Sequence, residues 1–304
     1  MIAAATENVF PAVRAALPAD IELRSVPRSG EGLEEVELLV AGWFQPGLIE
    51  ALPTLSRLRV LQALSAGTDH LEPVVPPHVT LCNARGARDA AVAEWCAGAL
   101  LGAATRLLDA PRQTTWDDDV RPGEVAGSTV VVLGHGSIGR ALEARLEPFG
   151  AHVIGVARTA RDGLRAVDEL DELLPQADAL VILAPLTDQT RGLLDARRLA
   201  LLPDGALLVN AGRGAIVDTD ALVAETTAAG DDTGPRLRAV LDVVDPEPLP
   251  DGHPLWTAPG VLAITPHHAG DSPQADARAA RFAADQIVRY ARGEPLRNVV
   301  RRGA

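Results

Sequence analysis

The chain has 304 residues, with 28 basic against 41 acidic side chains and a formal net charge of −13, and every basic residue is an arginine. The absence of lysine excludes a Schiff-base lysine, a phosphate-loop lysine and a lysine general base, and the acidic balance argues against a broad footprint for nucleic acid or an anionic membrane. Hydrophobic residues make up 47% of the chain and aromatics only 3%, so the core must be aliphatic, which favours parallel strands under alanine-rich helices.

Short β-type runs alternate with helical patterns almost from end to end, the signature of an α/β fold with mainly parallel sheets. The first part predicts strands over 2–5, 21–25, 37–40, 60–64 and 80–83, with helices over 7–17 and 46–51. A long helical pattern over 89–108 leads into the turn-rich stretch TTWDDDVRPGEVAGS. Beyond it come strands over 129–133, 153–156, 179–183, 206–210, 239–243 and 261–264, with a helix over 138–149 and a final helix over 272–290. The segment GDDTGPR (230–236) reads as a flexible surface loop. Cys82 and Cys96 are too few for a disulfide scaffold or a thiolate zinc site, and no metal site is expected. The N-terminus MIAAATENVF has no basic flank or long apolar core, and the longest apolar run, 95–105, is about half the roughly 20 residues that span a bilayer. A soluble cytoplasmic protein, without membrane or nucleic-acid partners, is expected.

Residues 130–139 read VVVLGHGSIG, a strand followed at once by Gly134-x-Gly136-x-x-Gly139 and a helix. This is the context a dinucleotide turn requires: Gly134 for the tight turn, Gly136 for close approach of a pyrophosphate, Gly139 for helix-to-strand packing. The amides near Ser137 and Ile138 would face the diphosphate. At the end of the next strand an acidic residue would bind the adenosine ribose 2′-hydroxyl, but Ala157 and Arg158 stand there. Arg158, with Thr159 and Arg161, can pair with a 2′-phosphate instead, so NADP(H) is expected over NAD(H).

Three segments follow predicted strands: Asn210-Ala-Gly-Arg213-Gly, Asp242-Val-Val-Asp-Pro-Glu247-Pro and Thr265-Pro-His267-His268-Ala-Gly. They deliver an arginine, a glutamate and a histidine to the carboxyl edge of one sheet, where ligands bind in doubly wound folds. Singly, Arg213 also reads as a solvated turn residue, Glu247 as a turn acid between prolines and His267 as a satisfied loop imidazole.

On these motifs, together with LSAGTDHL (64–71), AVAEWCAGALL (91–101) and APLTDQTRGLL (184–194), the chain resembles the D-isomer-specific 2-hydroxyacid dehydrogenase family over about residues 60 to 299. The resemblance implies two doubly wound parallel-sheet domains: a Rossmann NAD(P)-binding domain (88–270) inserted into a flavodoxin-like substrate domain (1–87 and 271–304). It implies His267 as acid/base, Glu247 as its partner and Arg213 as the substrate-holding arginine. It also implies that Ala66 and Gly67 offer amides to the substrate carboxylate, that Pro185, Ala211, Gly212 and Asp242 line the nicotinamide side, and that the chain forms a homodimer through the 89–108 helix and the arm after it. The activity implied is NADPH-dependent reduction of a small 2-oxo acid, of the glyoxylate or hydroxypyruvate kind. Glutamate rather than glutamine at 247 disfavours formate oxidation. A phosphoglycerate-type dehydrogenase is the rival enzyme, although 304 residues leave no room for an appended regulatory domain. A nucleotide-sensing binding protein or corepressor is the rival of another class. Trp43 and Phe44 are weighed both as a pocket cap and as ordinary core.

Overall fold

The computed structural model describes residues 1–27, 29, 31–42, 46–116, 121–161, 163–230 and 234–303. Trp43, Phe44 and part of the 230–236 segment lie outside that set. In chain order the elements are β1 (Ala3–Thr6), α1 (Phe10–Ala16), β2 (Arg24–Val26), β3 (Leu38–Ala41), α2 (Pro46–Ala51), β4 (Val60–Ala63), β5 (Thr80–Cys82) and α3 (Asp89–Ala104). Then follow β6 (Thr129–Leu133), α4 (Ser137–Leu146), β7 (His152–Ala157), β8 (Arg165–Ala166), α5 (Leu170–Leu173), β9 (Ala179–Ile182), α6 (Ala196–Leu199) and β10 (Ala206–Asn210). The last are α7 (Thr219–Thr227), β11 (Leu237–Leu241), β12 (Val261–Ile264), α8 (Pro273–Ala291) and β13 (Val299–Arg301). No helix among the described residues is long and apolar enough to cross a membrane.

The chain divides into two compact units. Unit 1 holds Met1–Asp89 and Asp271–Ala304, and its sheet runs β13-β5-β4-β3-β1-β2. Strands β1 to β5 pair in parallel. Both faces are buried: Leu38 and Val40 point into one apolar layer with Ala279 and Ala283 of α8, while Leu39 and Ala41 point into the other with Leu48 and Leu52. The sheet is not wholly parallel, because the C-terminal β13 pairs antiparallel with β5. Its short run, VVR, carries no periodic signal, so the sequence reading places no strand there. Helix α8 starts where expected: the Ser272 side chain accepts from the Ala275 amide at 3.1 Å, and Pro273 takes the first turn, where its missing N–H costs nothing. Its small-residue stripe Ala275, Ala279, Ala283, Ile287 recurs at helical spacing and is buried.

Unit 2 holds Ala90–Gly270, with seven strands in the order β12-β11-β10-β9-β6-β7-β8, all parallel. Val131 and Leu133 enter one core layer, Val130 and Val132 the other. Helix α3 is apolar apart from Asp89 at its start and exposed Glu94, and buries Val92, Cys96, Ala99, Leu100 and Ala103. It stops at Ala104, short of the expected 108, because Arg106 turns to φ +60°. Helix α4 likewise yields before Phe149 to a tighter turn that ends at Gly150, φ +74°. Strand β11 lies two residues earlier than expected, which places Asp242 just outside it. The short α5 and α6 and the edge strand β8 fall within stretches left unassigned by the sequence, as does α7, which Asp218 caps by accepting from the Ala221 amide at 2.9 Å. Cys82 and Cys96 are both buried and unpaired; burial pushes the Cys82 thiol up to about 11, which suits a small core residue.

Candidate active site

The glycine turn of unit 2 is shaped by its neighbours. Gly134 adopts φ +96°, and a Cβ there would overlap the Ala184 backbone beyond β9. The amides of Gly134 and His135 both donate to the Val156 carbonyl, at 2.9 and 3.0 Å, clamping the turn to β7. Gly136 caps α4 without a side chain, and a Cβ there would meet open space. The amides of Ser137, Ile138 and Gly139 donate to no group among the described residues. A helix start with unoccupied amides and an open cradle suits a diphosphate, so the residues present fit a dinucleotide. At Gly139 a Cβ would come within 3.3 Å of the Gly134 carbonyl oxygen and the His135 ring, which explains the third glycine. His135 itself is 5% exposed, and its Nε2 donates to Glu143 at 2.8 Å.

Arg158, Thr159 and Arg161 are exposed just beyond β7. Arg165 nearby is held by Glu169 at 2.6 Å, whereas Arg158 and Arg161 form no ion pair among the described residues. On the opposite side of the glycine turn, exposed Pro185 follows β9 and its carbonyl accepts from Thr190 Oγ1 at 2.7 Å. The Ala211 amide donates to Ile182 at 3.1 Å.

Arg213 sits between two glycines for steric reasons. A Cβ at Gly212 would come within 3.0 Å of the Ala184 carbonyl oxygen, and one at Gly214 would overlap the Val244 carbonyl. The arginine loop is thus pressed against the loops that follow β9 and β11. Buried Asn210 shapes it from beneath: its Oδ1 accepts from the Gly212 amide at 3.0 Å and its Nδ2 donates to the Arg213 carbonyl at 3.1 Å. The sequence reading did not single out Asn210, although an asparagine at a strand-to-loop junction is the usual signal for such a side-chain-to-backbone turn.

His267 Nδ1 donates to Glu247 Oε1 at 2.6 Å, with the two side chains 32% and 41% exposed. This hydrogen bond with the charged carboxylate raises the His267 pKa above the ordinary imidazole value, against partial burial and the Arg213 charge. The same bond holds the Glu247 carboxyl below the usual carboxylate range, with smaller help from the Val244 backbone and Arg213. His267 adopts φ +54°, a conformation uncommon outside glycine but enriched in histidine and asparagine. Asp242 braces it. The Asp242 carbonyl accepts from the His267 amide at 2.8 Å, and the carboxylate accepts from Thr265 Oγ1 at 2.6 Å and from the amides of His268 and Ala269 at 2.9 and 3.0 Å. Asp242 is 3% exposed, and its carboxylate faces the histidine loop.

Unit 1 carries a separate candidate at 64–67. Each carbonyl of that segment is occupied: Leu64 by Arg88 Nε at 3.3 Å, Ser65 by the Ala84 amide at 2.8 Å, Ala66 by Asn83 Nδ2 at 2.7 Å, and Gly67 by Ser65 Oγ at 2.7 Å. The Ala66 and Gly67 amides donate to nothing among the described residues. Successive amides left over by inward-turned carbonyls form a concavity suited to an anion.

Residues 98–269 match the profile of the D-isomer-specific 2-hydroxyacid dehydrogenase NAD-binding domain. A glyoxylate reductase from Aeropyrum pernix is 32% identical over 83% of this chain and 79% of its own length. A mitochondrial formate dehydrogenase from Solanum tuberosum is 31% identical over 88% and 74% respectively. Among solved structures, a D-isomer-specific 2-hydroxyacid dehydrogenase from Xanthobacter autotrophicus Py2, in complex with NADPH and MES, superposes with a TM-score of 0.83 at 29% identity over 98% of both chains. With its glycine turn and its histidine–glutamate pair, the chain belongs to the D-isomer-specific 2-hydroxyacid dehydrogenases, a family of NAD(P)-dependent oxidoreductases.

Proposed function

We propose that the chain is an NADPH-dependent reductase of small 2-oxo acids, of the glyoxylate and hydroxypyruvate kind, with His267, Glu247 and Arg213 as its catalytic residues. The observation that carries this reading is the 2.6 Å bond between His267 and Glu247, on loops at the same sheet edge as the glycine turn. Reduction of a carbonyl adds a hydride at C2 and a proton at oxygen. NADPH bound on the glycine turn would supply the hydride. Because Nδ1 is committed to Glu247, proton donation falls to Nε2, and the ionised Glu247 keeps a larger fraction of the imidazole protonated near neutral pH. Arg213 polarises the carbonyl oxygen and pairs with the substrate carboxylate, and in unit 1 the Ala66 and Gly67 amides offer an anion concavity of the kind a substrate carboxylate fits.

Formate oxidation fits this residue set less well. It transfers a hydride but releases no hydroxyl proton, so a histidine charged by a carboxylate would have no task. Selectivity for NADPH rests on Arg158, Thr159 and Arg161, which supply cations and no carboxylate where a 2′-phosphate would lie. Asp162, which follows Arg161, is outside the described residues. Exposed Leu107 and Trp116, on the arm after α3, support a homodimer through that segment.

The test is a panel of glyoxylate, hydroxypyruvate, pyruvate and bulkier 2-oxo acids with each reduced nucleotide, followed by nucleotide absorbance. Turnover of a small 2-oxo acid with a lower KM for NADPH than for NADH is expected. Clear NADH preference would overturn the cofactor assignment, and inactivity across the panel would overturn the reaction.

A further inference from the structure

We propose that Arg88 is a positioning residue for substrate binding, holding the amide concavity of Ala66 and Gly67 in shape; the proposal rests on the 2-oxo acid reading above. Of the four groups that occupy the 64–67 carbonyls, one is local, Ser65 within the segment, and two, Asn83 and Ala84, lie just after β5. Arg88 is the fourth and the only charged one. Its Nε donates to the Leu64 carbonyl at 3.3 Å. Its two terminal nitrogens pair with Asp271 and Asp276, each at 2.9 Å, and the side chain is only 17% exposed.

One guanidinium therefore joins three stretches of unit 1 that are remote in sequence. These are the amide loop, the segment entering α3, and the segment that opens α8. The planar fork is fixed on both terminal nitrogens, so Nε has one direction in which to point, toward Leu64. The grip is reciprocal, because Arg278 of α8 donates through Nε to the Ala87 carbonyl at 2.7 Å. Loss of Arg88 frees the first carbonyl of the loop, and the amides that follow it lose their common direction. The consequence falls on carboxylate binding, the task proposed for those amides.

Arg88 also lines a crevice of about 390 Å³ together with Ser65, Asn8 and His70. Truncation to alanine thus opens a space that a free guanidinium ion can enter, which provides a rescue experiment. The variants are Arg88→Ala and, as a milder change, Asp276→Asn, each as full-length protein with hydroxypyruvate and NADPH. Arg88→Ala is expected to raise the KM for hydroxypyruvate about tenfold, the scale of one lost charged hydrogen bond, with kcat and the KM for NADPH within about twofold. Binding of oxamate to the NADH- or NADPH-loaded enzyme should weaken by the same factor, and millimolar guanidinium should restore both. Asp276→Asn should shift the same KM in the same direction by a smaller factor. An Arg88→Ala enzyme with unchanged KM, or one whose loss spreads equally over kcat, both KM values and Tm without guanidinium rescue, overturns the positioning role. Should Arg88→Ala fail to fold, Asp276→Asn decides, and an unchanged hydroxypyruvate KM there overturns it. A wild-type protein inactive on every 2-oxo acid overturns the underlying reading, and the proposal with it.

Discussion

Replacement of His267 separates chemistry from folding because of the backbone it sits on. At φ +54° alanine would be strained, whereas asparagine tolerates the left-handed region, so His267→Asn is the informative change. The amide of residue 267 keeps its bonds to the Asp242 and Thr265 carbonyls, at 2.8 and 3.0 Å, and Glu247, 41% exposed, is left to water rather than buried alone. The loss is then confined to proton transfer from Nε2. General acid catalysis contributes about 10²- to 10⁴-fold, or about 3–5 kcal/mol of barrier at roughly 1.4 kcal/mol per decade. Steady-state reduction of hydroxypyruvate should show kcat lower by that factor, with the KM for NADPH within about twofold. The stability change has a defined pH window. The raised His267 pKa contributes stability that is full below the unfolded imidazole value and is lost as pH rises through the folded one. The lowered Glu247 pKa contributes stability present above the unfolded carboxylate value and lost as pH falls through the folded one. Any Tm difference between wild type and variant should therefore peak between those two ionisations and fade on either side. A variant with kcat within about threefold of wild type would refute the assignment of His267 as the acid.

Glu247→Gln keeps an acceptor for Nδ1 but removes the charge, so the imidazolium is less favoured. The alkaline limb of the reduction profile should move to lower pH, and an unmoved kcat profile would count against the pairing. Arg158→Asp should raise the KM for NADPH about ten- to a hundredfold, the range for a lost charged hydrogen bond, while leaving that for NADH within about threefold; equal effects on both nucleotides would place the 2′-phosphate elsewhere. Gly214→Ala drives a Cβ into the Val244 carbonyl and should cost about 1–3 kcal/mol, read as a Tm fall of about 2–4 °C per kcal/mol for a unit of this size. An unchanged Tm would show that the arginine and glutamate loops are not in rigid contact.

Much of this site is legible in the sequence because its signals are local. The glycine turn needs only a strand, three glycines and a helix in succession, and Arg213, Glu247 and His267 each follow a recognisable strand. What escapes the sequence is what distant segments do to one another. That Gly212 and Gly214 are glycine because Ala184 and Val244 press on them requires the sheet order. Asp242 reads as one more residue lining the nicotinamide side, and only the two-residue displacement of β11 shows its carboxylate gathering the amides after His267. The 64–67 amides enter the sequence reading through the family resemblance alone, since the concavity depends on carbonyls taken by Asn83, Ala84 and Arg88. In unit 1, β13 has too short an apolar run to announce itself and gains its place by pairing with β5.

The central claim is hydride delivery to C2 of a 2-oxo acid by a nicotinamide. It is tested most directly by incubating the protein with hydroxypyruvate and NADPH carrying deuterium at both C4 positions, then locating the label in the product. Glycerate with one deuterium at C2 is expected. Absence of product, or product without deuterium at C2, would contradict it.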